Sequence, residues 1–143
     1  MKTQHFQCHM TTESTAKDAL KKISQVSAWW AKVVEGKAEK ANDVFTVRFG
    51  DTFVTFRVTA FSENKIVWLV TDCFLPWQNN KTEWTGTEVQ YELTEKNGHT
   101  DILFTHVGLV PEVECYDQCS TGWTKHIEGS LAKLMDQGIG VPV

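Results

Sequence analysis

Asn97-Gly98 stands between two runs in which apolar and polar residues alternate. Asn-Gly is the strongest short hairpin signal, because a type I′ turn needs positive φ at both central positions. A two-residue loop there fixes the register. Leu93 then faces Ile102, Tyr91 faces Phe104 and Val89 faces His106, while Glu88, Gln90, Glu92 and Thr94 take the opposite face. Gly50-Asp51 works the same way, setting Val47 opposite Val54 and Phe45 opposite Phe56. Two independent turns each give one apolar face. The chain is therefore expected to build an antiparallel sheet with a buried side.

Helices are expected at both ends of that sheet. Residues 3–11 read as a first strand. Thr15 to Asp18 fits a Thr-x-x-Asp capping pattern, followed by Ala16, Ala19, Leu20 and Ile23 at helical spacing. A second short helix is expected from Ser24 to Ala31, with Gly36 serving the chain reversal beyond it. Glu63-Asn64 is a weaker turn between strands 52–61 and 65–72, and residues 73–84 form the one long loop. In the simple register Phe53, Phe61, Ile66, Trp68 and Val70 share the convex face, an apolar patch suited to a protein partner or a homodimer. A slip at Glu63-Asn64 would bury part of that set. From Val113 to Gln137 the apolar residues Tyr116, Cys119, Trp123, Ile127, Leu131 and Leu134 recur every three or four positions, and Gly138 ends a long helix. Gly122 is costly inside it, which points to a close approach by a strand or by something bound.

At 143 residues the chain is read as one domain spanning 1–143, of α+β class, with a six-stranded sheet curled around its last helix. A net charge of −4 denies it the basic field that nucleic acid or an anionic membrane surface requires. No apolar run reaches the roughly 20 residues of a membrane span. The first fifteen residues carry no apolar stretch of the signal-peptide kind, so a cytoplasmic location is expected. Cys8, Cys73, Cys115 and Cys119 are accordingly read as reduced thiols.

The ordered set Trp29-Trp30, Phe49-Gly50, Ile66-Val67-Trp68, Trp84-Thr85-Gly86-Thr87, Leu103 to Leu109, Gly122-Trp123 and Ser130 to Leu134 resembles the SRPBCC (START-like) superfamily. Within it, the chain is similar to bacterial single-domain proteins related to the C-terminal domain of the activator of the ninety-kilodalton heat-shock-protein ATPase. The resemblance covers about residues 3–138. It implies the helix-grip fold, with a cavity between sheet and helix that in many members holds an apolar ligand.

Phe56, Val89, Tyr91, Phe104, His106, Cys119 and Trp123 are the expected lining of such a cavity, with His106 and Tyr91 orienting a polar group. A ligand site implies roughly 300 Å³ of space beside His106. The competing reading makes the aromatics a filled core and His106 a histidine bonded to Tyr116, Thr87 or a backbone carbonyl. No cofactor is implied, and no metal. Cys115 and Cys119 share a helix face without a second ligand pair, and His5 and His9 lie roughly 13 Å apart on a strand. No nucleophile elbow or phosphate loop is present. The binding of a small apolar or amphipathic molecule is the leading expectation. A co-chaperone-like interaction module is the alternative, and a cyclase- or hydrolase-like enzyme working through His106 with Tyr91 or Tyr116 is third.

Overall fold

A computed structural model describes residues 4–143. The expected strand start at Thr3 lies outside them. The elements run β1 (Phe6–Thr12), α1 (Ala16–Ser24), α2 (Val26–Trp29), β2 (Val33–Gly36), β3 (Val44–Phe49), β4 (Thr52–Phe61), β5 (Lys65–Phe74), β6 (Glu88–Lys96) and β7 (His99–Val107). After these come α3 (Tyr116–Thr124), a π-helical segment (Lys125–Leu131) and α4 (Ala132–Gln137). All seven strands join one antiparallel sheet in the order β1-β7-β6-β5-β4-β3-β2.

Both strong turns hold their expected register. Lys96 pairs with His99, with Asn97 and Gly98 at φ 53° and 83° between them. Phe49 pairs with Thr52 around Gly50-Asp51. The six-strand count falls one short. The missed strand is β2, whose four residues pair with β3 at the sheet's edge. So short an element shows too little alternation to be read. Gly36 ends it at φ 89°, where a Cβ would collide with the Val44 carbonyl.

The convex patch is not where the simple register put it. β4 carries an extra residue at Thr59, between the pairs Val58–Trp68 and Ala60–Val67. One inserted residue exchanges the two faces of a strand. Phe61, Ile66, Trp68 and Val70 consequently join the core side, and the last three of these are buried. Only Phe53 of the expected set stays on the outer face, stacked on Phe74 with ring centres 6.4 Å apart.

The concave face closes on the C-terminal helix. Thr15 caps α1 by accepting from the Asp18 amide, and Ala19, Leu20 and Ile23 turn inward as their spacing requires. The expected single long helix is instead α-helical, then π-helical, then α-helical again. The π-helical turns carry Ile127, Ser130 and Leu131 into the core. Ser130 Oγ there donates to the Trp29 carbonyl at 2.6 Å and accepts from the Val141 amide at 2.7 Å. Val143 and Trp30 add a backbone bond, so the terminal residues lie across the end of α2. Gly138 stops α4 in the left-handed region, its amide bonded to the Leu134 carbonyl.

Candidate ligand-binding cleft

Four elements meet at one end of the sheet: the β3–β4 hairpin, the long loop after β5, α2, and the junction of α3 with the π-helical segment. Each brings an aromatic side chain. Trp30 follows α2 and stands 5.9 Å from Phe49 of β3 and 4.8 Å from Trp123 of α3, centre to centre. Trp84 comes from the loop and stacks on Trp123 at 5.8 Å with the rings 13° from parallel. These rings wall a cleft of about 240 Å³, open to solvent, with Val54 and Leu75 beneath it. Trp77 sits at its rim, 46% exposed.

The loop is held by hydrogen bonds as well as by the packing of Leu75 and Trp84 into the core. Leu75 N–H reaches the Lys81 carbonyl, and the Glu114 carboxylate accepts from the Asn79 and Asn80 amides at 3.0–3.1 Å. Those amides hold the Glu114 carboxyl below its ordinary pKa. The bonds fix the loop against the start of α3 and so position Trp77 and Trp84.

Gly122 opens onto this cleft. A Cβ built there meets nothing within 4 Å, so the glycine does not admit a strand; it keeps the helix face clear. One turn later His126 lines the same wall, 6.3 Å from Trp30. Burial, with Lys125 nearby, lowers its pKa to about 4, leaving a neutral imidazole at physiological pH. Gln118, Thr52 and His126 are the polar side chains of the lining, and no Asp, Glu, Lys or Arg side chain belongs to it. Such a surface stacks on apolar rings or chains and offers a few hydrogen bonds.

Of the expected lining residues, Cys119 and Trp123 do line the cleft. Phe56, Val89, Tyr91, Phe104 and His106 are fully buried beneath it and do not border it. The space expected beside His106 is occupied by Trp84 and Trp123, whose ring centres lie 4.7 and 6.0 Å from the imidazole. Trp123 Nε1 donates to His106 Nδ1 at 3.0 Å. The proton of the neutral ring must then sit on Nε2, which donates to Thr87 Oγ1 at 2.8 Å; that hydroxyl donates to the Trp84 carbonyl at 2.6 Å. Every donor in this relay has an acceptor. Burial, with His5 a smaller influence, lowers the His106 pKa to about 3. Tyr91 Oη and Trp68 Nε1, deeper in the core, have no hydrogen-bond partner among the described residues.

Reading the sequence alone missed Trp30, Trp77, Trp84, Gly122 and His126 as a set. The available signals were the Trp surplus, Pro76-Trp77 in the longest loop, and a glycine beside Trp123. A broader groove of about 1130 Å³ lies between α1 and the β4–β5 turn, where Lys17, Glu63 and Glu95 stand beside Leu20 and Leu93. Among the described residues no three His, Cys, Asp or Glu side chains converge on a metal position, and no helix is long and apolar enough to cross a membrane.

The cysteines depart from the reduced reading. Cys115 and Cys119 form a disulfide across the first turn of α3, with Cα atoms 5.5 Å apart, while Cys8 and Cys73 are free and buried. The i, i+4 spacing that failed as a metal pair brings the two sulfurs together as a covalent one.

No family model matches the chain, and no curated protein matches it in sequence. Solved structures do match it. The solution structure of the Aha1 dimer from Colwellia psychrerythraea superposes with a TM-score of 0.78 at 18% identity, over 96% of this chain and 99% of that one. The fold is the START-like helix-grip. DynU16, a putative protein in the dynemicin biosynthetic locus, matches with a TM-score of 0.68 at 14% identity, over 94% of this chain but 48% of its own. CalU16 from Micromonospora echinospora matches at 0.61 and 10% identity, over 85% of this chain and 70% of that one. Identities this low carry the helix-grip architecture and nothing about ligands.

Proposed function

We propose that this chain is a single START-like domain, cytoplasmic, that binds a small apolar or amphipathic molecule in the aromatic cleft at the end of its sheet. The observation that carries this reading is a solvent-open space of about 240 Å³ walled by Trp30, Trp84 and Trp123, with Trp77 half exposed at its mouth. Its volume sits just under the usual range of about 300–1,000 Å³ for ligand pockets, which suits a compact ligand of one or two rings or a short chain. Apolar contact would supply affinity, with Gln118, Thr52 and His126 orienting a polar group. His106 is assigned a structural part, and no catalytic step is proposed, because both its nitrogens are engaged within the protein.

The test is Trp77→Ala against 1-anilinonaphthalene-8-sulfonate, an apolar double ring with one anionic group. Trp77 packs at the surface, so unfolding free energy should change by less than about 0.5 kcal/mol. Affinity should fall about tenfold or more. Equal affinity for the two proteins, or no binding by either, would remove the cleft reading. Native mass spectrometry of the protein as purified would then look for the physiological occupant.

A second reading is self-association, or docking of a protein partner, through the sheet's outer side. The stacked Phe53–Phe74 pair and the half-exposed Val33 on the free edge of β2 favour it, and the similar Colwellia structure is a dimer.

A further inference from the structure

The geometry points to Cys115 and Cys119 as a reversible thiol–disulfide exchange site in the cleft wall, taking a low-molecular-weight thiol such as glutathione as reductant and its disulfide as oxidant. This holds whatever occupies the cleft.

The four cysteines are all buried and differ in what they face. Cys8 is enclosed among core side chains, and burial, with Glu128 nearby, pushes its thiol up to about 12, far from the reactive thiolate. Cys73 is buried against Thr85 Oγ1 at 3.4 Å. Cys119 is no more exposed than Cys8, at 8% each, but it lines the solvent-open cleft and Cys8 does not. The Cys115–Cys119 bond also spans a single helical turn. A cross-link removes chain entropy in proportion to the logarithm of the loop it closes, so this one restrains far less than a bridge between distant segments would. A structural staple would tie β1 or the long loop to the helix. In the reducing compartment proposed above, on which this step rests, disulfides are of the transient, redox-responsive kind.

The surroundings assign the direction of exchange. Cys115 is almost fully buried, and Trp84 Nε1 donates to its sulfur at 3.4 Å. It also occupies the N-terminal cap of nine-residue α3, where backbone amides favour negative charge. The helix N-terminus and the Trp84 N–H favour Cys115 as the leaving thiolate against the cost of its burial, and Cys119 is the one of the two that lines the open cleft. The incoming thiolate attacks Cys119 Sγ, the Cys115–Cys119 bond breaks, and Cys115 leaves as a thiolate with the bonding pair. A second thiol then attacks the mixed disulfide, releasing the small-molecule disulfide and the Cys119 thiolate. Two electrons enter the protein and two protons follow to the two sulfurs; the oxidant reverses both steps.

The experiment equilibrates the folded protein across reduced-to-oxidised glutathione ratios, quenches with acid, then blocks thiols with a maleimide in denaturant and counts adducts by mass. The wild type should pass in one two-electron step from two blocked thiols to four. Cys115→Ser should trap glutathione on Cys119 in at least about half the molecules, and Cys119→Ser should trap almost none on Cys115. Four blocked thiols at every ratio, or two that no ratio converts to four, would overturn the proposal. So would a transition that persists in the Cys115→Ser/Cys119→Ser double variant, or an adduct preference for Cys115. The wild-type titration needs no variant, so a misfolded substitution cannot obscure the result.

Discussion

His106 shows how one side chain can be placed correctly by a turn and still have its role decided elsewhere. The Asn97-Gly98 register puts it inward opposite Val89, as the hairpin arithmetic requires. Its partners arrive from the long loop and the last helix, and no local pattern records that Trp84 and Trp123 would close over it. The relay has a pH signature. The folded pKa, lowered to about 3, lies below the ordinary histidine value of 6.5, so the unfolded chain takes up the proton first. The contribution is complete above pH 6.5 and fades as pH falls from there toward 3. At pH 5 it should amount to roughly 2 kcal/mol of lost stability from this one group. Urea unfolding at pH 7.5 and 5.0 should show that loss in the wild type and a clearly smaller one in His106→Gln. Equal losses would mean that the imidazole is not held neutral.

Among the elements, those with strong turns were legible and those altered by one inserted residue were not. The hairpins at Gly50 and Asn97 carry their register in two residues each. The bulge at Thr59 carries no such mark, yet it moves Trp68 from the outside to the core. The C-terminal helix was readable as an apolar stripe, but widening to π-helical turns over Lys125–Leu131 leaves no sequence trace beyond the stripe itself. Such turns often accompany functional sites, and here they begin next to Gly122 and Trp123. Gly122 offers the cleanest intervention, because a side chain there meets only the open cleft. Gly122→Ala should stabilise the helix by roughly 1 kcal/mol and raise Tm by about 4 °C. Gly122→Leu should keep the fold and cut anilinonaphthalenesulfonate affinity about tenfold or more by filling the space. A leucine variant that binds as well as the wild type would place the site elsewhere. Ser130→Ala should cost about 1–3 kcal/mol in urea unfolding, since it leaves the Val141 amide and the Trp29 carbonyl without their shared partner.

For the whole molecule, the sheet-on-helix architecture followed from element order, because a sheet with one apolar face and a terminal amphipathic helix must bury each against the other. The cleft did not follow, since it exists where four chain-distant segments meet and depends on their packing. Aromatic content announced that something would be lined with tryptophan without saying which. If the outer side of the sheet mediates self-association, light scattering at rising concentration should show a dimer that Phe74→Asp returns to monomer; a monomer at every concentration would leave that face unpartnered. The cleft itself is tested most directly by the six tryptophan indole N–H resonances in an NMR titration with anilinonaphthalenesulfonate. The signals of Trp30, Trp77, Trp84 and Trp123 should shift together and saturably. Those of Trp29, bonded to the Ile23 carbonyl, and Trp68, fully buried on β5, should stay in place. Movement of Trp68 without Trp77, or no saturable movement at all, would contradict a ligand held at the end of the sheet.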